Sequence, residues 1–199
     1  ALLQMLPLCG VFGFVQMMAG LASGQPTVLT ASFDPEAAID LSARHNVVNF
    51  NATDDMIQGI LDASEAERPL PNLRFVGSAA FATNYAELAE RAEARGIRMV
   101  GLYGMSEVQA LFSIQPMALP LRERILGGGA MASKAARARV RDPDSGDLLS
   151  VGQAGELELK GPSLMLEYYR NPEATAAAFT DDGFLRTGDL AEMTEDGRF

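Results

Sequence analysis

In "RFVGSAAFATNYAELAERAEARGIRMVGLYGMSE", residues 74–107, two short apolar runs bracket one helical stretch. The runs 74–77 ("RFVG") and 97–103 ("IRMVGLY") carry apolar residues on both sides, as strands covered on both faces do. Between them, residues 84–96 offer Asn84 as a cap, Glu87 three residues on, a Glu87/Arg91 pair four apart and Gly96 as a stop, which predicts a helix. Strand, helix and strand in that order imply a right-handed parallel crossover.

Upstream the pattern repeats. Residues 26–30 ("PTVLT") and 46–50 ("NVVNF") predict strands, and "DPEAAIDLSARH" (34–45) predicts a helix with Asp34 as N-cap and Pro35 in its first position. A further helix starts near Thr53 or Asp54. The expected fold is α/β, a parallel sheet flanked by helices, and it is followed by a different texture. In "RARVRDPDSGDLLSVGQAGELELKG" (137–161) polar and apolar residues alternate around Asp142–Gly146 and Gly152, which predicts antiparallel strands with one wet face. Arg137, Arg139 and Arg141 fall on that face, as do Glu156, Glu158 and Lys160, while Leu157 and Leu159 point inward. A short helix with Asn171 as cap and Pro172 first leads to "FLRTGDLAEMTEDGRF" (184–199), read as a strand and hairpin. The division expected is 1–124 for the parallel part and 125–199 for the antiparallel part. The missing initiator Met and the halt at Phe199 in mid-pattern suggest a segment truncated at both ends.

At 48% hydrophobic residues over 199 positions the chain can bury a sizeable core. Its net charge of −10 argues against nucleic acid as a partner, because the surface would repel a polyanion. The single cysteine, Cys9, excludes an internal disulfide and a cysteine-based zinc cluster, and the single histidine, His45, excludes most histidine-ligated metal sites. A reducing, cytoplasmic location fits. The opening "ALLQMLPLCGVFGFVQMMAGLASG" imitates a signal peptide or a transmembrane span, yet it lacks a basic start and is interrupted by Gln4, Pro7, Gly10, Gly13 and Gln16. It reads as a buried core segment and not as a membrane span.

In an open parallel sheet, ligands bind beyond the carboxyl ends of the strands. Two small-residue loops fall there: "GSAAF" (77–81) and "YGMSE" (103–107). Gly104-Met105-Ser106 is not a hydrolase elbow, since Val108 stands where the second glycine is needed and no histidine follows. The Ser106 hydroxyl can instead donate to a phosphate oxygen, and the Glu107 carboxylate can hold magnesium directly or through water. A capping pair opening a helix at "VQALF" accounts for the same two residues. Asp189, in "TGDL" (187–190), is suited to accept from a ribose diol. Gly127, Gly128 and Gly129 lack the Gly-Lys-Ser/Thr ending of a phosphate loop and read as a flexible loop.

Taken together, "LPLCGVFGF", "GSAAF", "YGMSE", "GELELKGPSLMLEYYRNPEATAAAFTDDGFLRTGDL" and "EDGRF", in this order, resemble the AMP-forming acyl-CoA synthetases, long-chain fatty acid–CoA ligases among them, and the wider adenylate-forming superfamily. The resemblance implies a central fragment of the N-terminal domain of an ATP-dependent acid–CoA ligase. A carboxylic acid, expected to be a fatty acid, becomes an acyl-adenylate and is passed to coenzyme A. ATP and magnesium are the implied cofactors, and coenzyme A is the co-substrate. By the same resemblance Ser106 contacts the α-phosphate and Glu107 helps hold magnesium. The backbone of Ser78, Ala79, Ala80 and Phe81 lines the adenine, beside Tyr103 and Gly104, and Asp189 binds the ribose. Gly10, Gly101 and Leu102 border the acyl pocket. Gly155, Glu156, Gly161, Pro162, Tyr169, Pro172 and Glu173 look like framework. The sequence departs from the family at Cys9 and Gly10, where relatives carry an aromatic residue and histidine, and at Glu167, where a glycine is common. The phosphate loop and the adenylation lysine of the family are expected in an N-terminal segment and a C-terminal domain outside these 199 residues, so the isolated chain is expected to be inactive. The rival readings are a non-catalytic nucleotide-binding module and an adenylation domain for an amino or aryl acid.

Overall fold

A computed structural model describes residues 1–81 and 83–199. Four strands, β1 (Leu2–Gln4), β2 (Thr27–Leu29), β3 (Asn49–Thr53) and β4 (Phe75–Ala79), lie parallel with β5 (Met99–Tyr103). Two short strands, β6 (Ser113–Ile114) and β7 (Ala130–Met131), extend the sheet antiparallel, giving the order β2-β1-β3-β4-β5-β6-β7. Helices α1 (Val11–Ala22), α2 (Pro35–Arg44), α3 (Asp54–Asp62) and α4 (Tyr85–Ala94) supply the crossovers, and a one-turn α5 (Leu121–Arg124) precedes β7. Then come β8 (Arg137–Arg141), β9 (Gly155–Lys160), α6 (Pro172–Ala178) and β10 (Leu185–Ala191), whose strands form a separate antiparallel sheet in the order β10-β9-β8. The mixed α/β class expected from the sequence is the class observed; the change of sheet falls between Met131 and Arg137.

Two clusters form the core. Leu3, Val47, Phe50, Val76 and Met99 fill the parallel sheet against Ile57, Ile60 and Leu88 of the helices. The second joins the sheets: Val108 and Phe112, from the segment between β5 and β6, pack with Leu157, Leu159 and Leu185 of the antiparallel sheet. Local signals account for two helix starts: Asp34 accepts from the Ala37 amide at 2.8 Å and Asn171 from the Ala174 amide at 3.1 Å, each followed by proline. Asn84 makes no such bond, and Arg91 reaches across to Asp62 and Gln58 of α3 instead of pairing with Glu87.

Several expectations are corrected. The opening segment is not core throughout. Leu2, Leu3, Met5 and Leu6 are buried, but Cys9 is exposed and α1 turns Phe14, Met18 and Leu21 outward. The buried side of α1 carries Gln16, whose amide donates to the Leu3 carbonyl and to Gln4 and accepts from the Asn51 amide. No helix among the described residues is long and apolar enough to cross a membrane. The strand expected at 46–50 lies later, at Asn49–Thr53. The arginine face of β8 is not simply wet: Glu158, expected to point outward, is 0% exposed and sits between Arg139 and Arg141, with Asp182 bonding Arg139 from outside. The triple glycine is no loose loop, because Gly128 and Gly129 adopt φ of +92° and +108° and pack on the main chain of Phe199 and Ile114.

Candidate nucleotide and acid site

Because β4 and β5 are parallel neighbours, their carboxyl ends bring residues 77–81 and 103–107 to one rim, as expected. The segment after β5 does not become a helix. Ser106–Val108 form a single 3₁₀ turn, and then Gln109 and Ala110 both take the left-handed conformation, φ +63°. For two consecutive non-glycine residues that geometry costs about 1–2 kcal/mol each. The chain bends back so that β6 can pair with β5, which removes the capping explanation for Ser106 and Glu107. Gly104 makes the bend feasible: a Cβ there would stand 1.4 Å from the Ala110 carbonyl oxygen.

The antiparallel layer supplies the opposite wall. The register of β10 on β9 shifts between Arg186 and Leu190, with Gly188 at φ +75°, so "TGD" forms a bulge. The bulge aims Asp189 at Tyr103, whose hydroxyl donates to Asp189 Oδ2 at 2.5 Å across 86 residues of sequence. Burial first, and then the accepting carboxylate of Asp189, push the Tyr103 phenol well above its usual pKa, so it stays a donor. A second tie joins the layers: Tyr168 Oη donates to Glu107 Oε1 at 2.9 Å, and the Met165 amide donates to the Glu107 carbonyl at 2.7 Å. The Glu107 carboxylate raises the Tyr168 pKa in turn.

Two clefts flank the rim. The smaller, about 180 Å³, is walled by Phe12, Ala79, Phe81, Leu102, Met105 and Ser106, and among the described residues no charged side chain lines it. The larger, about 430 Å³, lies between the sheets, with Tyr103, Gln115, Leu126, Leu190, Arg198 and Phe199 in its walls. The Phe199 ring meets Tyr103 edge-on at 5.3 Å.

Of the residues singled out by sequence, Ala79, Phe81, Leu102, Gly104 and Ser106 share the smaller cleft, and Tyr103 and Asp189 meet. Ala80 lies between the two cleft-lining loop residues. Ser78 is fully buried and its hydroxyl is bonded to Tyr85, leaving only its backbone for a ligand. Gly10 is exposed at the start of α1, beside the lining residues Val11 and Phe12. Gly101 does not reach the smaller cleft: its Cα faces the Leu126 carbonyl, which a Cβ would meet at 1.9 Å. The sequence reading missed Tyr168. It named Tyr169, which is 80% exposed, and alternation along "EYY" alone could have flagged its neighbour.

For magnesium, no group of three or more His, Cys, Asp or Glu is gathered among the described residues. Glu107 alone at the turn fits an ion that takes most of its oxygens from phosphate and water, the usual habit of magnesium.

Comparison with known proteins gives a consistent picture. The family model described as "AMP-binding enzyme" matches residues 1–169. The chain is 36% identical to a sulfoacetate–CoA ligase of Cupriavidus necator over 99% of its own length and 38% of that protein's. It is 31% identical to 4-coumarate–CoA ligase-like 6 of Oryza sativa subsp. japonica over 96% of its length and 32% of that protein's. The chain thus spans about a third of the length of such relatives. Among solved structures, ATP-bound MatB from Rhodopseudomonas palustris superposes with TM-score 0.85 at 28% identity, over 99% of this chain and 38% of that one. The O-succinylbenzoate coenzyme A synthetase of Bacillus subtilis, with ATP and magnesium, superposes at 0.84 with 23% identity, over 99% of this chain and 40% of that one, a likeness of fold.

Proposed function

The chain belongs to the AMP-binding enzyme family, and from that premise we propose that it forms the nucleotide- and acid-binding rim of a longer ATP-dependent acid–CoA ligase. The observation that carries this reading is the Tyr103–Asp189 bond, which brings the "TGD" carboxylate onto the rim that holds Ser106 and Glu107. In the proposed reaction a carboxylate oxygen of the acid attacks the α-phosphorus of ATP, the bond to pyrophosphate breaks, and an acyl-adenylate forms. The coenzyme A sulfur then attacks the acyl carbon, its proton is lost, and AMP leaves with the bonding electron pair.

Each residue has a part in this scheme. The Ser106 hydroxyl donates to an α-phosphate oxygen and stabilises the charge that develops there. The backbone of 78–81 lies along the adenine. Asp189 accepts from the ribose hydroxyls, its other oxygen held in place by Tyr103. Glu107, oriented by Tyr168, would hold magnesium, which when bound neutralises phosphate charge. The apolar lining of the smaller cleft supports an acid that is uncharged apart from its reacting carboxylate. A ring or an aliphatic chain fits that lining, the fatty acid expected from sequence included.

The test is ATP–pyrophosphate exchange and hydroxylamine trapping with a longer protein carrying this segment, offered aryl, short aliphatic and long-chain acids. The 199-residue chain serves as the background, and we expect it to be inactive. Turnover with apolar acids, lost in Asp189→Ala, is the expected result. A folded longer protein that binds AMP but activates no acid would leave a non-catalytic nucleotide-binding module in its place.

A further inference from the structure

Loop 79–81 forms one side of the smaller cleft, and among the described residues two polar contacts hold it, a buried one at its root and a part-buried one at its tip. At its root the Ser78 hydroxyl meets the Tyr85 hydroxyl at 2.5 Å, both residues being buried. At its tip the Phe81 amide donates to Asp54 Oδ2 at 3.0 Å. Asp54 opens α3 at the end of β3, and since Thr53 pairs with Ala79, the parallel register carries the carboxylate alongside the loop. Asp54 is only 6% exposed, while the Phe81 side chain whose backbone it holds is 73% exposed and stands in the cleft wall.

Burial of a carboxylate is unfavourable unless its hydrogen bonds compensate. An amide at so exposed a position could bond to water instead, so the carboxylate is not needed to satisfy it. Satisfaction alone does not explain the arrangement. What Asp54 adds is a fixed height for the loop tip relative to β3. We propose that Asp54 is a positioning residue for loop 79–81, setting the surface against which the nucleotide base and the acyl group lie. What the loop binds rests on the ligase reading above; the anchor itself does not.

The experiment compares Asp54→Ala, Asp54→Asn and, as control, Asp55→Ala, the exposed neighbour on the same helix. Amide exchange in the 199-residue chain reads the anchor. KM and kcat of the longer protein read its consequence. Loss of a charge-assisted bond should speed Phe81 exchange about tenfold in Asp54→Ala, with Val76 and Met99 in the sheet unchanged. In Asp54→Asn, which keeps an accepting oxygen, the rise should be about threefold. Asp55→Ala should have no effect. KM for ATP and for the acid should rise in the same order while kcat changes less, a split that general destabilisation would not give.

Unchanged Phe81 exchange in a folded Asp54→Ala overturns the anchor; if that variant does not fold, unchanged exchange in Asp54→Asn does so. Faster exchange with unaltered KM overturns the positioning role. If the unsubstituted longer protein binds neither nucleotide nor acid, the ligase reading falls and the positioning role with it, while exchange still decides the anchor.

Discussion

Replacing Gly104 by alanine tests the account of the turn after β5. A Cβ there would lie 1.4 Å from the Ala110 carbonyl oxygen and 2.1 Å from its carbon, both main-chain atoms. Non-bonded heavy atoms settle about 3.5–4.0 Å apart, so one side of the bend must retreat by about 2 Å. The residues between the two contact points include Ser106 and Glu107, so the displacement falls on the groups assigned to phosphate and magnesium. Overpacking of this kind costs about 1–3 kcal/mol. For a chain of this size that lowers Tm by about 2–12 °C. A misplacement of about 1 Å near reacting groups can cost about 100-fold in rate. Gly146→Ala supplies the matched control, because Gly146 also resists substitution, through its φ of +75°, but has nothing within 4 Å and lies in the second layer. The assay pairs thermal melting, followed by tyrosine fluorescence since the chain has no tryptophan, with ATP–pyrophosphate exchange by a longer protein carrying this segment. Gly104→Ala should lose about 100-fold of exchange activity and Gly146→Ala less than about threefold at a similar drop in Tm. Equal losses in the two variants, or a Gly104→Ala enzyme within threefold of the original, would refute the argument.

Three further outcomes follow from the geometry. Glu158→Gln, which leaves Arg139 and Arg141 facing a neutral group in a fully buried position, should lower stability in urea by about 2–3 kcal/mol. That is less than for a sealed ion pair, because both arginines are partly exposed and Asp182 still holds Arg139. Asp182 is held well below the usual carboxylate pKa of 3.8, chiefly by its hydrogen bond from Arg139, so its stabilisation is present above that value and is lost as pH falls below it. Asp182→Asn should therefore flatten the acid limb of a stability–pH profile and leave its neutral region parallel to the original. Tyr168→Phe should speed exchange of the Met165 amide by roughly two- to tenfold, whereas Tyr169→Phe, at the exposed neighbour, should leave it unchanged.

What the sequence disclosed and what it withheld divide along one physical line. Strands β4 and β5 were legible because burial on both faces leaves a continuous apolar run, and α2 and α6 because Asp34-Pro35 and Asn171-Pro172 act over three residues. The bend at Gln109 and Ala110 was not, since "VQALF" has helical periodicity and only the pairing of β6 with β5 overrides it. Glu158 was misread because alternation marks a face without telling whether two arginines and an aspartate will cover it. At the candidate site, the rim loops could be placed from strand order alone. The meeting of Tyr103 with Asp189, 86 residues apart, could not be read from spacing.

The two ties across the layers, Tyr103 to Asp189 and Tyr168 to Glu107, border a seam that the second core cluster also spans. A nucleotide gripping both edges of that seam would act as a rivet, adding to the cohesion of the layers with the logarithm of its concentration relative to its Kd. Heat capacity traces would register this: the unfolding transition of the bare chain should sharpen as nucleotide is added. The cooperativity of melting, and not only its midpoint, thereby becomes a measure of how firmly the ligand spans the seam.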